Sequence, residues 1–125
     1  MIRLQKKQSI LYVQTSGIDQ PDGLYTPFLL ASTAVAMGIG ATIYFIIKGI
    51  TVVKKGEAEK IQLGELHTLK QVMDQAISAG VKLMICEQSC ILLNLKQDDF
   101  IEGAIIVGAA TLNDLLLDAD AVLSF

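Results

Sequence analysis

Metal-ligating side chains are scarce in this 125-residue chain, which holds one histidine, His67, and two cysteines, Cys86 and Cys90. A structural zinc site needs about four such ligands, and His67 lies on a different segment from the thiols. No metal is expected, and no cofactor fingerprint is present. Two cysteines four positions apart cannot build a disulfide framework. They fit a reducing cytoplasm, where thiols are kept for chemistry. Basic clusters are missing too: no run of Lys or Arg exceeds two, and the net charge is −3. Neutralising phosphates takes a basic stripe, so nucleic acid is set aside as a partner. Charge of either sign is sparse, at 18% of residues against about 25% in ordinary soluble domains. Apolar residues make up 52%, above the usual range of about 45–50%. A surface with so few charges leaves apolar area for subunit contacts, and a homo-oligomer is expected.

Residues 23–47 carry no charge, a stretch long enough to cross a hydrocarbon core of about 30 Å. The stretch divides, however. Pro27 suits the first turn of a helix and Met37-Gly38-Ile39-Gly40 stops it. Ala41-Thr42-Ile43-Tyr44-Phe45-Ile46-Ile47 then has the β-branched and aromatic character of a central strand. Each piece is too short to span, so no membrane association is expected. Near the start, Arg3, Lys6 and Lys7 precede an apolar run over residues 10–13. A secretory signal needs an apolar region of about 7–15 residues. The expected location is the cytoplasm.

The pattern along the chain alternates strand and helix. Strands are predicted over residues 9–15, 42–47, 81–86, 105–107 and 121–125. Helices are predicted over 25–37, 66–79 and 88–93, with another lined by Leu112, Leu115 and Leu116 and turning Asp114 and Asp118 outward. In the 66–79 helix, Leu66, Leu69, Val72, Met73, Ala76 and Ile77 share one face, and Gly80 gives a C-terminal stop. Residues 50–64 are mixed, and Asp98-Asp99 reads as the start of a helical turn. Five strands with intervening helices make a single α/β domain over residues 1–125. Its architecture is a three-layer α/β/α sandwich on a mostly parallel sheet. In such folds ligands bind at the edge formed by the loops after the strands. That edge would present Ser16, Lys48-Gly49, Cys86 and Gly108.

Cys86 is the position with the most chemical promise. The run Val81-Lys82-Leu83-Met84-Ile85 delivers it to the edge, and Glu87-Gln88-Ser89-Cys90 reads as the first turn of a helix. Free N–H groups at a helix start and a nearby cation favour a thiolate, the nucleophilic form of sulfur. Lys48, ending a neighbouring strand, is the cation expected there. Against this stands the ordinary use of unpaired cysteine as a small core residue. Cys90 can act as a second thiol or face the core. Side chains four apart on one helix lie about 5–6 Å from Cβ to Cβ, against the 3.5–4.5 Å of a relaxed disulfide, so pairing requires Cys86 to lie just outside the helix. Ser89 offers a hydroxyl to an anion, or caps the helix. Gly17, Gly49 and Gly108 leave room for backbone amides to approach a ligand, but form no dinucleotide fingerprint. His67 is expected at the surface.

Tyr25-Thr26-Pro27-Phe28 through Met37, a strand leading to Lys48-Gly49, and Cys86-Glu87-Gln88-Ser89 after a strand follow in order. Asp98-Asp99-Phe100-Ile101-Glu102-Gly103-Ala104 then leads to Gly108-Ala109-Ala110-Thr111-Leu112. Together these resemble the DsrE/DsrF-like family over residues 9–125. The resemblance implies small α/β subunits that form trimers or hexamers in the cytoplasm. It also implies a cysteine, here Cys86, that accepts sulfur as a persulfide or thiosulfonate. The partners implied are TusA-like carriers and heterodisulfide-reductase-like complexes. Many members carry Met where this chain has Cys90 and Gly where it has Asn94. The function expected is a sulfur carrier or sulfurtransferase subunit that passes sulfur from Cys86 to a partner thiol. The alternatives are a non-catalytic oligomeric assembly protein and a small-ligand-binding module, each with structural cysteines.

Overall fold

The computed structural model describes residues 7–125. Arg3 and Lys6, weighed above as part of a leader, lie outside the described residues. The chain runs β1 (Ser9–Gln14), α1 (Tyr25–Ala36), β2 (Gly40–Phe45), α2 (Leu69–Ala79) and β3 (Lys82–Cys86). It continues through α3 (Glu87–Leu93), β4 (Ala104–Val107) and α4 (Ala109–Asp118) to β5 (Ala121–Ser124). The five strands form one parallel sheet in the order β4-β3-β2-β1-β5. Helices flank it as a three-layer α/β/α domain.

This order explains how the faces are covered. From β1 to β4 each crossover steps one strand in the same direction, and only the last returns across the sheet to reach β5. Right-handed crossovers therefore put α1 and α2 on one face and α4 on the other. The α1/α2 face is a sealed core of Tyr12, Phe28, Ile43, Phe45, Leu69, Met73, Leu83 and Ile85. The rings of Phe28 and Phe45 lie 6.1 Å apart at 36°, within the tilted range that aromatic pairs favour. Tyr12 donates its hydroxyl to the Leu30 carbonyl of α1 at 3.3 Å. On the other face, Leu11 and Tyr44 are buried, but no residue of α4 is.

Several expected boundaries shift, each for a local reason. The second strand ends at Phe45 rather than residue 47, because Ile47 takes a left-handed φ of 58° and the chain coils through 3₁₀ turns over Ile47–Val53. The 66–79 helix begins later, at Leu69. Thr68 caps it, accepting from the Gln71 N–H at 3.3 Å and donating its own N–H to Gln71 Oε1 at 2.9 Å. Leu66 therefore precedes the helix and is 52% exposed, not part of its buried face. Asp98 and Asp99 end the short turn Gln97–Asp99 instead of starting one. Ala31 and Ala34 are buried where α1 packs against α2, as small residues there should be, while Gly38 lies exposed beyond the helix. Among the described residues no helix is long and apolar enough to cross a membrane.

Candidate functional site

Cys86 ends β3 and caps α3, with an extended backbone of φ −69° and ψ 120°. Ile85 points into the α1/α2 core, so strand alternation turns Cys86 to the opposite face, along with Met84. It is partly exposed, whereas Cys90, one turn into α3, is buried within the core cluster. Both are free thiols. Burial, then the neighbouring Cys86 and Glu87, raises the pKa of Cys90. The protonated thiol is favoured there, which makes Cys90 a poor nucleophile.

Ser89 caps nothing. It is buried, and its Oγ accepts the Ile47 N–H at 2.7 Å. This bond holds a β-branched residue at positive φ, a conformation that costs on the order of 1–3 kcal/mol. The loop after β2 is thus fastened to the first turn of α3, beside Cys86. At the far end of α3, Asn94 adopts φ 56° and Leu95 donates to the Cys90 carbonyl at 2.9 Å. Gly and Asn are the two residues that enter this left-handed cap most readily. Asn94 therefore suits this helix end.

The remaining expected site residues gather less closely. Gly108 directly follows Val107, the register partner of Cys86, so it lies on the adjacent strand end. A side chain there would meet open space. Gly49 and Gly17 serve a different need from ligand approach. A Cβ at Gly49 would strike the Gln14 carbonyl, and one at Gly17 would strike that of Lys48. These glycines let the loops after β1 and β2 lock together, and Thr51 Oγ1 adds bonds to the Lys48 carbonyl at 2.7 Å and the Ile18 N–H at 3.1 Å. Lys48 sends its ammonium to Asp19, 3.4 Å away, and both side chains are well exposed. Ser16 follows β1, two strands from Cys86, or roughly 10 Å. Its carbonyl accepts from Gln14 Nε2 at 2.8 Å. His67 is exposed, its carbonyl accepting the Tyr25 hydroxyl at 2.6 Å. Among the described residues no His/Cys/Asp/Glu group could hold a metal ion.

Two residues stand out here that the sequence pattern did not. Gln14 is 1% exposed and leaves its Oε1 without a partner. Tyr44 is fully buried. It pairs in register with Met84, two residues before Cys86 on the same face. Burial first, then the charge and hydrogen bond of Cys86, then Cys90 and Glu87, push the Tyr44 pKa up to about 12. The phenol therefore keeps its proton at neutral pH. Register is the signal that finds it, and register was not available before the strand order.

A model of the DsrE/DsrF-like family matches residues 8–125. The chain belongs to this family. It is similar to the uncharacterized protein MJ0989 of Methanocaldococcus jannaschii, 30% identical over 104 residues that cover 81% of this chain and 85% of that protein. A second uncharacterized protein of that organism, MJ0760, is 26% identical over 106 residues, 85% of this chain. This chain spans only 38% of that relative's length. Among solved structures, the ychN protein from E. coli superposes with a TM-score of 0.78 over 94% of this chain and 99% of that one, at 19% identity. MTH1491 from Methanobacterium thermoautotrophicum, of unknown function, gives 0.65 over 96% and 100%, at 12% identity. At such identities the structural likeness is one of fold. DsrE-like proteins are sulfur-relay components, and a general sulfur-relay role is what membership supports.

Proposed function

We propose that this chain is a cytoplasmic sulfur-carrier or sulfurtransferase subunit that holds sulfur covalently on Cys86 and hands it to a partner thiol. The observation that carries the reading is the contrast between the two thiols: Cys86 is reachable at a strand-to-helix junction, while Cys90 is buried with its proton favoured. The Cys86 thiolate attacks the outer sulfur of a donor persulfide, R–S–S–H. The Sγ–S bond forms as the donor S–S bond breaks, and the R–S⁻ leaving group takes the electron pair. The persulfide proton passes to that leaving thiolate, so Cys86–S–S⁻ and R–SH result with no net oxidation or reduction. With tetrathionate the same attack expels thiosulfate and leaves a thiosulfonate, Cys86–S–S–SO₃⁻. Delivery repeats the exchange, with the partner's thiolate attacking the outer sulfur. A TusA-like carrier or a heterodisulfide-reductase-like complex is the partner class that family resemblance favours.

A homo-oligomer, trimer or hexamer, is part of the proposal. Ile91 and Leu92 on α3 and Leu117 on α4 are 75%, 71% and 85% exposed, more apolar surface than a lone subunit should leave in water. Intact-mass spectrometry after incubation with tetrathionate or a persulfidated donor tests the function. One sulfur-bearing adduct is expected on the wild-type chain and none on Cys86→Ser. An adduct on Cys86→Ser equal to wild type would overturn the assignment.

A further inference from the structure

Ile46 and Ile47 are strong strand formers, yet β2 stops before them. Ile46 keeps an extended backbone and donates its N–H to the Gln14 carbonyl of β1 at 3.0 Å. Strand alternation then aims the Ile47 N–H at β3. Phe45 pairs with Ile85, so the acceptor a continuing ladder would supply is the carbonyl of Cys86. That carbonyl belongs to the N-cap residue of α3, where it accepts the first bond of the helix. Two elements therefore compete for one oxygen at Cys86.

A side chain supplies the substitute acceptor. Ser89 is buried, and its Oγ takes the Ile47 N–H at 2.7 Å. The Gly49 N–H returns to the Ile46 carbonyl at 3.0 Å, closing a turn with Ile47 at φ 58°. Glycine fills such a position without strain, and a β-branched residue does not. Local preference at residue 47 thus opposes the turn, and a hydrogen bond between residues 42 positions apart maintains it.

We propose that Ser89 is a positioning residue for Cys86: by taking the Ile47 N–H it leaves the Cys86 carbonyl to α3 and fixes the strand-to-helix junction at the thiol. Without the hydroxyl, β2 lengthens through Ile47 and claims that carbonyl. The strained turn is relieved and the first turn of α3 unwinds. Cys86 then lies inside a longer ladder, between Ile46 and Val107, instead of at its end. Val107 already pairs with Cys86 on the β4 side, so the β2 side is the one this clamp controls. Ser89 acts through the junction and takes no part in the bonds exchanged at sulfur.

This inference rests on Cys86 being the reacting thiol, and alkylation tests it without a sulfur donor. The rate of Cys86 alkylation by iodoacetamide, resolved from Cys90 by peptide mapping, is compared in four chains. They are wild type, Ser89→Ala, Ser89→Ala combined with Ile47→Gly, and Thr68→Ala. Ser89→Ala should slow alkylation about tenfold, the population shift that loss of one hydrogen bond produces. Glycine at position 47 accepts the turn at no steric cost, so the double variant should return to within about twofold of wild type. Thr68→Ala removes the cap of α2, lowers stability by a similar factor and should leave the rate unchanged. A Ser89→Ala rate equal to wild type would overturn the proposal. So would a slow rate that Ile47→Gly fails to restore, the mark of an ordinary packing loss. These results decide the role of Ser89 whether or not Cys86 takes up sulfur from a donor. Should Ser89→Ala not fold, hydrogen exchange in the wild-type chain supplies a second readout. The Ile47 amide should be protected although its residue is half exposed. Exchange at the rate of an unstructured peptide would refute the clamp.

Discussion

The two faces of the sheet are built to different standards. Under α1 and α2, Tyr12, Ile43, Phe45, Leu83 and Ile85 are all but sealed from water, and the Tyr12 hydroxyl is paired with backbone. On the α4 side, Leu11 and Tyr44 are buried, yet α4 buries no residue of its own and leaves Leu116 and Leu117 at 40% and 85% exposure. The two thiols follow the same division. Cys90 lies in the sealed cluster, and Cys86 turns to the open side. The lesson is a division of labour: one face holds the fold together, while the other is free to carry chemistry and subunit contacts.

The strongest way to break this comparison is to remove a side chain from each face. Phe45→Ala should cost about 3–5 kcal/mol in urea unfolding followed by circular dichroism. Cys86→Ala, on the open side, should stay within about 1 kcal/mol of wild type. Similar losses would erase the distinction. The loops at the sheet edge come next. Gly49→Ala drives a methyl group into the Gln14 carbonyl, where backbone rather than a flexible side chain must yield. A loss of about 2–3 kcal/mol is expected, and a loss under about 0.5 kcal/mol would show that the interlock matters little.

The exposed apolar residues of α3 and α4 can be tested for subunit contact with Ile91→Asp and Leu117→Asp combined. Sedimentation should fall toward the 13.5 kDa of a single chain, and far-ultraviolet circular dichroism should stay native. Unchanged sedimentation would remove these residues from any interface. The smallest effect is on the pH dependence of stability. Burial raises the pKa of Tyr12, Tyr44 and Cys90, so on heating or in urea the unfolded chain releases these protons first. Stability is therefore full below the ordinary thiol value of 9.0 and declines as pH rises through it and on past the phenol value of 10.0. Cys90→Ala should flatten the early part of that decline, measured by urea midpoints from pH 7 to 10. An unaltered slope would contradict the burial argument.

Much of the fold was legible because its signals are local. The β-branched and aromatic run at 42–45 and the apolar run at 83–85 mark buried strands, and the 69–79 periodicity marks a helix facing a core. Cys86 at a strand-to-helix junction was legible for the same reason. What escaped depends on contacts between distant segments. Ile46 and Ile47 look like strand, but the Ser89 hydroxyl pulls the Ile47 N–H out of the ladder. Leu66 fits the helical spacing, yet the Thr68–Gln71 box starts the helix after it. Gly17 and Gly49 have the look of ligand-facing glycines, and only the packed loops reveal that each accommodates the other strand's end. Tyr44 reads as a strand former in any propensity argument, and its pairing with Met84, two residues before Cys86, emerges only once β2 lies beside β3.

Sulfur placement on one of the two thiols tests the account most directly. The folded protein would be treated with less than one equivalent of a persulfide donor, trapped with iodoacetamide, digested, and mapped by tandem mass spectrometry. The trapped persulfide is predicted on Cys86, with Cys90 carrying none. Sulfur found on Cys90, or spread evenly over both, would contradict the assignment of chemistry to the open face.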